Sequence, residues 1–319
     1  MPENLFPLIL MLIGVGGLLC AATVWLMAWS LIHPPRMTDG KATWVLRRLS
    51  PADLGLEFED LRFQARDAHG GAPALTLAAW WIPNSHAAGR CAVLVHGYAD
   101  AKVGAIAWAP IWHALGFNLL VPDLRAHGES GGKVCTAGFL EQHDLIQVID
   151  EIRARRPDRT RRLVLIGVSM GAAVSAAAAA HTANIAAVVM DSPYADFRSA
   201  ALAHMDRLGL PGRPLQHMAV SLAQWLTHAD YSAVRPPDLI PRLSCPVLVI
   251  EAAEDSFLSS EDRALLAQAI AAHKGRGIAS ELWAAHGAEH LRAIQADPDG
   301  YRSKLRTFLE SVLQPHRQH

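Results

Sequence analysis

The chain has 319 residues, 29 Lys and Arg against 30 Asp and Glu, and a formal net charge of −1. That balance excludes a global basic field of the kind that recruits nucleic acid. Beyond a strongly apolar first stretch, about 285 residues remain, enough for one large domain with a well-buried core.

The first predicted element is that stretch. From Leu5 to Ile32 there is no Asp, Glu, Lys or Arg. As a helix it would extend roughly 42 Å, long enough to cross a hydrocarbon core of about 30 Å with some tilt. A soluble core helix must show one polar face to water, and this run has none. It reads as a single membrane-spanning anchor, residues 1–33. A cleaved signal sequence fits less well. No Lys or Arg precedes the run, and Trp25, Leu26, Met27 and Trp29 interrupt any small-residue cleavage site. Arg36, Lys41, Arg47 and Arg48 follow the helix, so the positive-inside tendency puts the large domain in the cytoplasm.

Residues 34–55 are expected to be a linker, and 56–315 one catalytic-sized domain. Strands are predicted at 56–65, 75–82, 92–95, 118–121, 163–167, 186–190, 246–251 and 278–284. The last six are short, continuous and rich in Val, Leu and Ile, as strands covered on both faces are, and the 75–82 strand is rich in aromatics. Helices are predicted between them at 103–115, 139–155, 170–180, 260–271 and 301–313. The alternation predicts right-handed βαβ units and a mostly parallel sheet. Roughly 50 residues at 192–244 separate two core strands, longer than an ordinary connection, and predict a lid insertion. Within it Leu215, Met218, Leu222 and Trp225 recur at helical spacing, either packing the lid down or forming an apolar wall. Outside the anchor the cysteines are Cys91, Cys135 and Cys245, which imply no disulfide framework. The arginine cluster 153–162 reads as a solvated turn at a helix end, with contact to anionic lipid as the sharper alternative.

Parallel sheets carry their chemistry at the carboxyl ends of their strands. There, Gly167, Ser169 and Gly171 form G-x-S-x-G between a strand and an Ala-rich helix. Such a sharp turn exposes the serine as a nucleophile, and only small neighbours fit two residues either side. The helix start favours negative charge developing nearby. A nucleophilic serine needs a base, and the base an orienting carboxylate. Glu251, Glu254 and Asp255 follow the 246–251 strand, and His286 and His290 follow the 278–284 strand. The amide of Met170 and that of Tyr98, in His96-Gly97-Tyr98, are the expected oxyanion donors. No His pair has metal-ligand spacing, and no cofactor is required.

These segments, with 123–132, 191–194 and 287–290, resemble the α/β-hydrolase superfamily, and within it the membrane-anchored Bem46-like and serine aminopeptidase-like hydrolases. The likeness runs from about residue 56 onward. It implies an eight-stranded, mostly parallel sheet with a helical lid, and a triad of Ser169, Asp255 and His290. The chain departs from that pattern in carrying Ala252 where glycine is usual before the acid, so Glu254 stays open as an alternative acid. In the same frame Arg125 and His127 would brace the loop beside the site, and Asp191 would be a substitute acid only in a rearranged triad. The expected activity is hydrolysis of an ester, thioester or amide through an acyl-enzyme, with a small or lipid-like acyl substrate. An esterase or lipase-like enzyme is the first reading. A peptidase, an acyltransferase, or an anchored scaffold without catalysis are the others.

Overall fold

The computed structural model describes residues 5–66 and 75–313. The parts of the expected bounds that fall on 1–4, 67–74 and 314–315 lie outside them. Eight strands form one sheet: β1 Glu59–Ala65, β2 Leu75–Ile82, β3 Arg90–Val95, β4 Asn118–Pro122, β5 Arg162–Val168, β6 Ile185–Asp191, β7 Val247–Ala252 and β8 Ser280–Ala285. Their order is β1-β2-β4-β3-β5-β6-β7-β8. The pairs β1/β2 and β2/β4 are antiparallel, and every later pair is parallel.

The helices are α1 Leu5–Ile32, α2 Asp39–Leu46, α3 Lys102–Ala105, α4 Ala109–Ala114, α5 Glu141–Arg155, α6 Met170–His181, α7 Phe197–Arg207, α8 Arg213–Thr227, α9 Pro236–Leu239, α10 Ser260–Gly275, α11 Ala293–Ala296 and α12 Pro298–Leu313. One helix was expected at 103–115, but the chain forms α3 and α4. Pro110 sits in the first turn of α4, where its missing N–H is tolerated, and it could not continue a helix begun earlier. Two apolar layers cover the sheet. One holds α5, α6, α8, α10 and the end of α1; the other holds α3, α4 and α12. Strands buried on both faces explain the unbroken apolar runs in β3 to β7.

α1 is long and apolar enough to cross a membrane. Its last turns do not stand clear of the body. Val24, Met27, Ala28, Leu31 and Ile32 form a buried stripe at i, i+3, i+4, i+7 and i+8, packed with the first apolar layer. Their partner is α8, which buries Gln216, Ala219, Val220 and Ala223. Small side chains on that face let two helices approach closely. The stripe noted in the sequence is therefore divided: Leu215 and Leu222 are partly buried, while Met218 and Trp225 stay exposed.

Residues 34–55 are also folded onto the body. The Arg36 guanidinium donates to the carbonyls of Gly128 at 2.8 Å, Ser130 at 2.6 Å and Gly132 at 2.7 Å. The amide of Cys135 donates to Ile32 O at 2.8 Å. At about 1 kcal/mol or more each, these bonds hold the segment as structure and not as a loose tether. The cysteines are free and buried apart from Cys20. Burial pushes the Cys91 thiol up to about 12 and that of Cys245 to about 11, so both act as small apolar side chains.

Candidate active site

Strand register brings the distant segments together. Val95 of β3 pairs with Gly167 of β5, Val168 with Asp191 of β6, Asp191 with Ile250 of β7, and Ala252 with Ala285 of β8. The loops that follow these residues share one carboxyl edge of the sheet, which is where chemistry collects in such folds.

Ser169 lies between β5 and α6 with φ 52° and ψ −117°, a strained conformation for a residue with a side chain. The turn is possible because its neighbours are glycines. A Cβ on Gly167 would lie 2.0 Å from Gly171 O, and one on Gly171 would lie 2.2 Å from Val95 O. The amide of Ser169 donates to Asp191 O at 2.9 Å, tying the turn to β6.

The base expected at His290 is beside it: Nε2 is 3.0 Å from Ser169 Oγ. Its other nitrogen, Nδ1, is 2.6 Å from Asp255 Oδ2. With Nδ1 protonated and donating to the carboxylate, Nε2 is free to accept from the serine. Asp255 is buried, and its Oδ1 accepts from the amide of Phe257 at 2.9 Å. The other acids of that loop point elsewhere. Glu254 is exposed, and Glu251 pairs with Arg263. Of the two histidines, His286 is exposed. The Phe257 ring lies 4.7 Å from the imidazole of His290 and flanks it.

Asp191 is fully engaged away from the base. It accepts from Trp108 Nε1 at 2.9 Å, Tyr301 Oη at 2.9 Å and Ser192 Oγ at 3.0 Å, and burial raises its carboxyl above the usual range. It fastens α12 and the 106–108 turn under the sheet edge.

The loop carrying Tyr98 is held by two neutral histidines. His96 Nδ1 donates to Gly97 O at 2.7 Å, and its Nε2 accepts from Leu124 N at 2.9 Å. His127 Nδ1 donates to Arg125 O at 2.8 Å, and its Nε2 accepts from Ala99 N at 3.2 Å. Burial depresses both below the ordinary histidine range, His96 furthest. A Cβ on Gly97 would lie 3.3 Å from Ser169 Cβ, so this backbone runs directly against the serine. Met170 opens α6 on the other side. Beneath the loop, Lys102 is buried between Asp123 and Glu129 and lies over the Trp80 ring. Arg125 donates to both carboxylate oxygens of Asp144, from Nε at 2.6 Å and Nη2 at 2.7 Å. These residues fix the loop's position and do not reach the serine.

A cavity of about 550 Å³ opens on Ser169 and His290. Its walls are mostly apolar: Tyr194, Phe197, Ala201, Met205 and Leu208 after β6, with Phe257 and Leu291. The residues that close it on the remaining side are Ser30, Leu31 and Pro35, from the end of α1 and just after it. Nothing in the linear pattern pointed to these three, because they precede Ser169 by more than a hundred positions and carry no motif. The Tyr98 hydroxyl donates to Ser30 O at 2.9 Å and Leu31 O at 3.1 Å, joining that helix end to the loop at the serine.

The arginines of 153–162 lie at the opposite end of β5. Arg153 donates to the carbonyls of Ala183 and Asn184, Arg156 pairs with Glu59, and Arg155 pairs with Glu151 and lies over the Phe63 ring.

The family model described as serine aminopeptidase, S33, matches residues 87–233. The uncharacterized protein YqkD of Bacillus subtilis is 29% identical over 229 residues, covering 69% of this chain and 71% of that protein. Among solved structures, the Pyrococcus furiosus esterase Pf2001 superposes with a TM-score of 0.69 at 24% identity, covering 88% of this chain and all of that one. The acylaminoacyl peptidase of Pyrococcus horikoshii superposes with a TM-score of 0.58 at 15% identity, over 88% of this chain and 45% of that one. Strand order, the turn at Ser169 and these superpositions agree: the chain has the α/β-hydrolase fold and is similar, over residues 87–233, to the serine aminopeptidase family.

Proposed function

We propose that the protein is a membrane-anchored serine hydrolase that cleaves an acyl ester through a covalent acyl-enzyme. The observation that carries this reading is the unbroken chain Ser169 Oγ–His290 Nε2 and Nδ1–Asp255 Oδ2, at 3.0 and 2.6 Å. Only one proton moves along it, between Ser169 and His290, while Asp255 stays ionised. His290 takes the Ser169 proton as Oγ attacks the acyl carbon, and Asp255 holds and stabilises the imidazolium. The amides of Tyr98 and Met170 receive the oxyanion, with the start of α6 adding a favourable field. As the tetrahedral intermediate collapses, His290 gives its proton to the leaving alkoxide. Water then attacks the acyl-enzyme, His290 accepts its proton, and Ser169 is regenerated when that proton returns to Oγ.

An apolar cavity beside the serine supports an acyl group as the part of the substrate that is bound. The Pyrococcus furiosus relative in fold is called an esterase, which supports the same class. A peptidase is the second reading, favoured by the family description and by one observation. Asp100, whose carboxyl burial raises to about 6, lines the same cavity and could receive a substrate amine.

Labelling of the full chain by a fluorophosphonate tests the nucleophile. Wild type should label and Ser169→Ala should not. A folded wild type that resists the reagent would replace hydrolysis with an anchored binding role. Rates on matched esters and aminoacyl amides then separate esterase from peptidase.

A further inference from the structure

We propose that the substrate's acyl chain enters the Ser169 cavity sideways from the lipid bilayer, along the last turn of α1, so that the membrane helix is a wall of the binding site as well as its tether. The inference rests on the hydrolase reading for the fate of the ester, and on geometry for the seating of the chain.

Depth is the first argument. A hydrocarbon core of about 30 Å takes about 20 helical residues. α1 has 28, so if it enters the core near Leu5 its last two turns reach the headgroup boundary. Trp25 and Trp29 lie there, the residue type that settles at that boundary. Ser30 and Leu31 follow at once, and they line the same cavity as Ser169. A lipid's ester carbonyl lies at this depth, between its apolar chain and its headgroup. The nucleophile is therefore level with the bond it would attack, and the chain needs no passage through water.

Continuity of apolar surface is the second. Of the α1 end, one side packs on the body while Trp25, Leu26 and Trp29 stay exposed, Leu26 at 65%. α8, which packs against α1, leaves Met218 and Trp225 exposed at 57% and 68%. Leu208 is 61% exposed and also lines the cavity. Large apolar side chains left uncovered on adjacent elements mark a surface that meets something apolar. With α1 in the bilayer, lipid is the occupant already beside them. The arginine cluster, at the far end of β5, is on the wrong side to share this contact.

The test reconstitutes the full chain in phosphatidylcholine nanodiscs containing a phosphatidylcholine with a diazirine near the end of one acyl chain. After irradiation, adducts are mapped by peptide mass spectrometry. Phe197 and Met205 are buried and line the cavity, so adducts on them require a chain inside it. Such adducts are expected in wild type and in Ser169→Ala. Prior reaction of wild type with hexadecyl fluorophosphonate should reduce them at least fivefold and leave adducts on the exposed part of α1 unchanged. Adducts confined to α1, with none on Phe197 or Met205, overturn lateral entry even if Ser169 labels normally. Cavity adducts in a protein that the phosphonate does not label uphold the lipid site and overturn the hydrolase reading instead.

Discussion

The hydroxyl of Tyr98 lies 2.9 Å from the carbonyl oxygen of Ser30, joining the loop that runs against Ser169 to the end of a helix long and apolar enough to span a membrane. Leu31 O, at 3.1 Å, shares the same hydroxyl proton. The helix end has spare carbonyls because its last turn lacks intrahelical partners, and the tyrosine supplies a donor there. Movement of α1 is thereby coupled to the backbone beside Ser169.

Tyr98→Phe keeps the ring and the amide and removes only the tie. At about 1 kcal/mol for the lost bonds, turnover of the full chain should fall several-fold while thermal stability changes little. Steady-state kinetics in micelles checks this. An unchanged rate would mean the loop is held by His96 and His127 alone.

Asp255 and Asp191 are both buried acids near His290, but only Asp255 contacts it. Asp255→Asn should lower kcat by about 10³- to 10⁴-fold, because the imidazole loses its orientation and its counter-charge. Asp191→Asn should act chiefly on stability, since its three donors hold neighbouring elements. Glu254→Gln, at an exposed site, should leave kcat within about twofold. Measuring all three side by side identifies the acid; a Glu254→Gln rate as low as that of Asp255→Asn would reverse the assignment.

Stability should decline on mild acidification. His96 is neutral in the fold because burial depresses its pKa well below 6.5, whereas in the unfolded chain it titrates near that ordinary value. Below 6.5 the unfolded chain therefore binds the extra proton and is favoured, so stability is present above that pH and lost as pH falls beneath it. His127 is shifted the same way and adds to the effect. Melting temperatures recorded in micelles between pH 7.5 and 5.5 should fall steadily.

Asp100 has the opposite sign. Burial raises its carboxyl to about 6 from an ordinary 3.8, and Oδ1 has no hydrogen-bond partner. Its ionisation costs the folded state stability as pH rises between those values. Asp100→Asn should be stabilising above pH 6, on the order of 1–3 kcal/mol, and close to neutral at pH 4. Thermal melts of the variant at both pH values test the sign. If the carboxylate binds a substrate amine, the same variant should lose aminoacyl amide turnover while keeping ester turnover.

Local pattern carries most of the fold. Every predicted strand lies within a few residues of an observed one, and for β3 to β7 the reason is that burial on both faces imposes an apolar run. Likewise G-x-S-x-G states its turn outright: a side chain at Gly167 or Gly171 would collide with backbone, so the motif and the geometry are one fact. The apolar run of α1 is equally plain, since 28 consecutive residues without an acidic or basic side chain stand out in the sequence whatever they pack against. Other questions had no local answer. Glu251, Glu254 and Asp255 are chemically alike and adjacent, and only the packed loop turns Asp255 inward to His290 while Glu251 meets Arg263 and Glu254 faces solvent. The stripe on α8 was visible as a period but not as a partner; the face it buries is Gln216, Ala219, Val220 and Ala223, set by what α1 and α7 place against it. Residues 30, 31 and 35 reach the cavity for the same reason. Periodicity reports which side of an element is apolar, and only contacts between segments far apart in the chain decide what that side meets.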